Sequence, residues 1–173
     1  MLRAPAPGDA DDLLAAFSVG EVIRWLTDIP WPFAATHAQD WLSRCQRNWE
    51  LANAYPFFAF ADTTFVGAVT LTVVNIDEAI VSFWLARDAW GQGFGREMVA
   101  AIGSWAFNEK PFKRLVAGVH PDNARSIKLL EALGYMSIGE RMYILPPHDH
   151  RAVGPHYMLT IDQWQMTRLA DRS

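Results

Sequence analysis

Residues 80–95, Ile-Val-Ser-Phe-Trp-Leu-Ala-Arg-Asp-Ala-Trp-Gly-Gln-Gly-Phe-Gly, hold the densest chemistry in this chain. An apolar run ends in a corner carrying Gly91, Gly93 and Gly95, and a helix-patterned segment follows at once. Glycine permits close backbone approach and left-handed dihedrals. A helix start adds unpaired N–H groups and the positive end of a dipole. Together they predict a seat for a phosphate or diphosphate. Further along, Val119-His-Pro-Asp-Asn-Ala-Arg-Ser126 opens a second helix, with Asp122 and Asn123 as caps and Gly134 as its stop. His120 and His156 stand at strand ends, and imidazole is the side chain suited to proton transfer near neutrality. His148-Asp-His150 has the composition of a metal pair but reads as a solvated loop. Cys45 falls on a helical apolar stripe and reads as core.

The elements that must position these residues follow from periodicity. Residues 2–4 form a short edge strand, closed by Pro5 and Pro7, and Asp9 offers an N-cap to a helix over residues 10–18. Glu21 to Leu26 is a second helical piece. Ile29-Pro-Trp-Pro-Phe33 cannot be helix interior, because proline lacks the donor and clashes, so it is an extended aromatic loop. Thr36 and Gln39 have capping-box spacing ahead of a helix over residues 37–52. Residues 55–61 and 65–75 form a hairpin about Asp62-Thr-Thr64. Residues 79–86 are apolar on both faces, as in a central strand covered on both sides. A helix over 95–107 turns Met98, Ile102, Trp105 and Ala106 to the sheet. A strand over 115–119 precedes the capped helix. Strands over 138–145 and 156–161 close the chain around a long loop, 146–155. The order predicts an α/β fold, largely antiparallel at first, with helices on both faces.

Composition narrows the function. A chain of 173 residues predicts one domain, residues 1–173, with a real core. With 51% hydrophobic and 20% charged residues it is globular. Eight Trp and ten Phe predict a ring-rich core, pocket or interface. A net charge of −4 argues against nucleic acid as a partner. One cysteine rules out an internal disulfide and suggests a reducing compartment. The N-terminus lacks a signal-peptide core and no apolar run reaches membrane length, so the expectation is a cytoplasmic protein with no membrane partner. A nucleotide-binding Rossmann enzyme fits poorly, since the glycine corner follows a hairpin meander and no acidic ribose ligand trails it.

Trp90-Gly-Gln-Gly-Phe-Gly95 resembles the acyl-CoA loop of GNAT acyltransferases, written Gln/Arg-x-x-Gly-x-Gly/Ala. Asn123-x-x-Ser126 and Leu133-Gly-Tyr135 resemble their second motif. Leu2-Arg-Ala, Ile29-Pro-Trp-Pro-Phe33, Phe83-Trp-Leu and Leu159-Thr-Ile-Asp-Gln-Trp164 are similar to the ribosomal-protein N-terminal alanine and serine acetyltransferases. The resemblance implies a GNAT fold, a mixed, mostly antiparallel sheet with splayed central strands. It implies transfer of an acetyl group from acetyl-CoA, as co-substrate, to a primary amine, with no metal, by a monomer or homodimer. The first acceptor class is a protein or peptide α-amine. A small amine (amino acid, polyamine or aminoglycoside) and a non-catalytic acyl-CoA-binding module are the alternatives.

Residue by residue, the resemblance implies diphosphate binding by the backbone of Gln92, Gly93, Phe94, Gly95 and Arg96. It places Trp84, Leu85 and Ala86 along the pantetheine, with Asn123 near it, and N–H groups around Leu85 and Ala86 at the oxyanion. Ser126 is implied as the acid for the thiolate, or as a group that orients the thioester. Glu78, at the start of the central strand, is the first candidate base, with His120 and His156 behind it. Trp31 and Phe33 wall the acceptor site. Two positions depart from the family pattern: Trp90 stands where Gln or Arg is usual, and Leu130 where many members have a tyrosine acid.

Overall fold

In the computed structural model, residues 1–26, 29–145 and 150–170 are described. Seven strands form one sheet: β1 (Leu2–Arg3), β2 (Ala54–Ala61), β3 (Thr64–Asn75), β4 (Glu78–Leu85), β5 (Arg114–Gly118), β6 (Met136–Leu145) and β7 (His150–Thr160). Their spatial order is β1-β2-β3-β4-β5-β7-β6. Every neighbouring pair is antiparallel except β4 and β5, which run parallel. The helices are α1 (Ala10–Phe17), α2 (Gly20–Ile23), α3 (Ala35–Glu50), α4 (Phe94–Glu109), α5 (Ala124–Ala132) and α6 (Ile161–Ala170). The parallel pair needs a crossover, and α4 supplies it. Among the described residues no helix is long and apolar enough to cross a membrane.

Strand alternation divides the core in two. Leu13 and Phe17 of α1 and Leu42 of α3 pack with Phe58, Phe60 and Ala68 on one face, and Trp84 joins them. On the other face Met98, Val99 and Ile102 of α4 and Leu130 of α5 pack with Val69, Leu71, Ala79, Val81, Leu115 and Ala117. A pattern of period two on a strand and 3.6 on a helix makes these stripes meet. The central strand is not covered throughout, as its apolar sequence suggested. Ile80 is 37% exposed and Ser82 is exposed, because the α1–α3 cluster covers Phe58 and Phe60 of β2 and Ala68 of β3 and reaches β4 at Trp84.

Local chemistry differs from the sequence reading at four points. Asp9 precedes α1 but makes no side-chain cap to it. It is buried, and accepts two bonds from the Arg3 guanidinium (2.6 and 2.8 Å) and one from the Ala6 N–H (2.7 Å). The Thr36–Gln39 capping box is not the start of α3. The helix begins at Ala35, and the His37 Nδ1 accepts from the Ala34 N–H (3.0 Å). The last strand ends at Thr160 rather than Ile161, and a helix the sequence reading did not assign follows: Thr160 and Gln163 form a reciprocal box that starts α6. β7 begins at His150 rather than His156, so the long closing loop is largely strand. Residues 146–149, which include His148 and Asp149 of the His-Asp-His run, lie outside the described residues.

The Asp9 contacts carry a stability prediction. Arg3 beside it holds the Asp9 carboxyl below its ordinary range, with the Ala6 N–H helping against desolvation. A depressed carboxylate contributes stability that is present above its unfolded pKa and lost as pH falls through the folded value. Hydrogen bonds to charged groups are worth roughly 1.5–3 kcal/mol, so Asp9→Asn is expected to lower stability by about 2 kcal/mol in urea unfolding at pH 7. The gap should close as the pH is taken below the usual carboxylate range.

Candidate active site

The site begins where β4 and β5 part. Their parallel pairing runs through Glu78↔Arg114, Ala79↔Leu115 and Ile80↔Val116 and ends there. Beyond it β4 stays paired to β3 as far as Gly67↔Leu85, and β5 stays paired to β7 as far as Gly118↔His156. A gap therefore opens along the C-terminal half of β4. Which backbone groups line it follows from parity. The Ala86 N–H donates to the Val66 carbonyl (3.0 Å). In an antiparallel ladder such bonded pairs alternate, so Trp84 also spends its backbone on β3, opposite Ala68. Phe83 and Leu85 then turn their N–H and C=O groups to the gap.

This geometry redistributes the expected roles at residues 84–86. Leu85 faces the gap as expected. The Trp84 backbone and the Ala86 N–H are engaged with β3, so the Ala86 N–H is not available to an oxyanion. The Trp84 ring packs on Phe17 (4.6 Å between centroids) and Phe65 (5.7 Å). Phe83 takes the place that the sequence reading gave to Trp84. Strand parity, counted from the hairpin, was the signal that could have found it.

At the end of the gap lies the glycine corner. Gly91 and Gly93 have φ of 77° and 88°, in the left-handed region, and a Cβ on either would meet nothing within 4 Å. Conformation rather than space requires glycine there. Gly95 differs, since a Cβ on it would lie 2.9 Å from Leu129 Cδ1 and 3.4 Å from Leu85 Cδ1. Its bareness lets α4 start against α5 and the end of β4. Gly93 caps α4, and its carbonyl accepts from the N–H groups of Arg96 (3.0 Å) and Glu97 (3.2 Å). The N–H groups of Gly93, Phe94 and Gly95 precede the first intrahelical donor, the Arg96 N–H, and are of the kind that can meet an anion. The Arg96 N–H, expected among them, is committed inside the first turn. The Gln92 side chain bonds the Asp88 carbonyl (2.6 Å).

The second helix sits across the gap. Asn123 caps α5, its Oδ1 accepting from the Ser126 N–H (3.2 Å). Ser126 is half-buried in the first turn. Glu78 is elsewhere: it faces Arg114, at the opposite end of β5 from the gap, and pairs with the Arg114 guanidinium (3.2 Å). Four strand residues separate Arg114 from Gly118, about 13 Å at 3.3 Å per residue. Glu78 thus stands at the closed end of the β4–β5 pair, two residues before Ile80 and on the same sheet face, with its charge felt at His156.

His156 is at the mouth of the gap, opposite Gly118 and on the same sheet face as Ile80. It is buried; desolvation lowers its pKa, Arg141 pushes the same way, and Glu78 opposes them. A histidine neutral at pH 7 is in the form a base requires. The His120 Nδ1 accepts from the Asp122 N–H (3.2 Å), and its ring meets Trp25 at 5.3 Å.

A cleft of about 300 Å³ lies beside the corner, lined by Glu21, Arg24, Trp25, Trp90, Asn123 and Arg125 among others. Of the aromatic loop, Trp31 is 53% exposed, while Phe33 packs edge-on against Phe17 (4.9 Å) and beside His37. Phe33 therefore anchors the loop to the core. Cys45 is buried, and burial pushes its thiol up to about 12, which suits core and not chemistry.

Comparison with known proteins bears on the family and the fold. The model of the acetyltransferase (GNAT) domain matches residues 1–136. The uncharacterized N-acetyltransferase p20 of Bacillus licheniformis is 27% identical over 143 residues, 80% of this chain and 79% of that protein. The ribosomal-protein-S5-alanine acetyltransferase of Vibrio fischeri superposes with a TM-score of 0.82 at 20% identity, covering 94% of this chain and 93% of the other. The spermidine N-acetyltransferase of Vibrio cholerae, solved with CoA and spermine, gives 0.80 at 15% identity, covering 95% and 97%. At such identities the structures speak for the fold, and the domain match speaks for the family. The chain belongs to the GNAT acetyltransferases.

Proposed function

We propose that this protein transfers the acetyl group of acetyl-CoA to the α-amine of a protein or peptide N-terminus. The observation that carries this is the parting of β4 from β5 beyond Ile80↔Val116, with the glycine corner at its end. A diphosphate on the N–H groups of Gly93, Phe94 and Gly95 makes charge-assisted bonds, the strong kind. The arm that follows pairs with Phe83 and Leu85 as an extra strand would. Asn123 and Ser126 flank it from α5, with Ser126 beside the thioester, orienting it or protonating the leaving thiolate. The amine approaches over the uncovered face at Ile80 and Ser82. Holding both reactants in one gap supplies much of the acceleration.

The acceptor must lose a proton before it attacks. An α-amine, with a pKa near about 7.7–8, gives up its proton far more easily than a lysine amine near about 10.4. His156 stands where it can take that proton, directly or through water, and it displaces Glu78 as the first candidate. The likeness to an S5-alanine acetyltransferase supports the α-amine, and that to a spermidine acetyltransferase supports a polyamine. The test is release of CoA from acetyl-CoA with a panel of amines. Peptides with free N-termini are expected to turn over with kcat/KM at least about tenfold above N-terminally blocked, lysine-bearing peptides and above spermidine. Faster turnover of spermidine would assign the small-amine function instead. Binding of acetyl-CoA with no turnover on any amine would leave a binding module.

A further inference from the structure

Trp90 stands where the GNAT loop pattern has Gln or Arg, and the structure returns the polar group that this exchange removes. The Trp90 indole N–H donates to the carbonyl of Leu85 (3.0 Å), the last residue of β4. By the parity above, that carbonyl faces the gap. The indole also meets two cations. The Arg87 guanidinium lies 4.8 Å from the ring centroid, and Arg125, from α5, lies 4.9 Å from it. Arg87 is itself bonded to Glu21 of α2 (2.8 Å). A half-buried ring in contact with two guanidinium groups and anchored through its nitrogen is not a loose side chain.

We infer that Trp90 is a positioning residue that sets the register of the pantetheine arm by removing one carbonyl from the gap. An extended arm with amide groups can pair with a strand edge at positions two residues apart, and each slip moves it about 6.6 Å. With the Leu85 carbonyl taken, the arm is left with the N–H groups of Leu85 and Phe83 and the carbonyl of Phe83. One register satisfies it, and the thioester comes to rest at one depth. With that carbonyl released, a second register becomes available, in which the thioester stops short of the amine. The inference rests on the acetyl-CoA reading above and extends it to a residue for which the family pattern assigns no such part.

The test uses acetyl-CoA labelled with 13C at the thioester carbonyl, bound to the whole protein and observed by NMR. Wild type is expected to show one bound resonance. Trp90→Phe keeps an aromatic ring beside the arginines but loses the N–H, and is expected to show two. Its kcat should fall about fivefold or more while the Kd for acetyl-CoA stays within about threefold. Trp90→Gln restores a donor within reach of the same carbonyl, and is expected to return one resonance and kcat to within about twofold of wild type. A merely structural ring predicts the reverse order, with phenylalanine tolerated and glutamine damaging. One wild-type resonance and wild-type kcat in Trp90→Phe would overturn the inference, as would a Trp90→Gln that behaves like Trp90→Phe. Failure of every amine to turn over would count against the transfer reading alone, because the resonances report the register without an acceptor.

Discussion

Gly93→Glu is expected to abolish measurable acetyl-CoA binding while the fold persists. Gly93 caps α4 with φ of 88°, and its N–H is one of three that face the corner. Glutamate brings two costs. A non-glycine residue in the left-handed region costs about 1–2 kcal/mol. Its carboxylate also stands beside the diphosphate, where two like charges 5 Å apart repel by about 3 kcal/mol at an effective dielectric near 20. The sum predicts a Kd raised by at least about a hundredfold. Gly93→Ala separates the two effects. A Cβ there meets nothing within 4 Å, so alanine carries only the dihedral cost, about tenfold at most in Kd. Isothermal titration with acetyl-CoA, beside a melting curve for each variant, reads both. Equal Kd values for the alanine and glutamate variants would remove the diphosphate from this corner.

The turn at the corner was legible in the sequence because its cause is local. Gly91 and Gly93 take positive φ between an apolar strand and a helix, and the Asn123 cap and Gly134 stop follow from single-residue preferences that α5 obeys. The hairpin at Asp62 was equally plain, since aspartate tolerates its φ of 52°. What was hidden depends on pairing across the sheet. No feature within residues 78–85 tells that Phe83, not Trp84, faces the gap; the register against β3 decides it. Nor could the sequence say that Glu78 lies at the closed end of the β4–β5 pair while His156, from a strand far along the chain, lies at the open end. The expected cover over both faces of β4 failed for a like reason, since apolar character shows burial propensity but not which helices reach it. At α6 the Thr160–Gln163 box was present in the letters, and the strand pattern before it concealed the change of period.

His156→Ala is expected to lower kcat by about a hundredfold or more, the range ascribed to a general base, with the Kd for acetyl-CoA within about threefold of wild type. His156→Gln, closer in shape, should lose as much if the proton is what matters. The pH profile gives the sharper sign. Burial and Arg141 lower the His156 pKa, against the pull of Glu78, so the neutral base persists below the ordinary histidine value. Wild-type kcat/KM should therefore show an acid limb below about pH 6.5 beyond the limb set by the α-amine itself. That lower limb should vanish in His156→Gln while the amine limb remains. Stability follows the same group. A histidine whose folded pKa is depressed contributes stability that is present above its unfolded value and lost as pH falls toward the folded one. The loss should lie below about pH 6.5 in wild type and be absent from the variants. A variant with unchanged kcat would return the base to another group.

A crystal structure of the protein with CoA tests the whole account most directly. The diphosphate oxygens should lie about 2.7–2.9 Å from the N–H groups of Gly93, Phe94 and Gly95. The pantetheine should run beside Phe83 and Leu85, and the sulfur should rest between Ser126 and His156. Density for CoA in another crevice, with this corner bare and the gap empty, would contradict it.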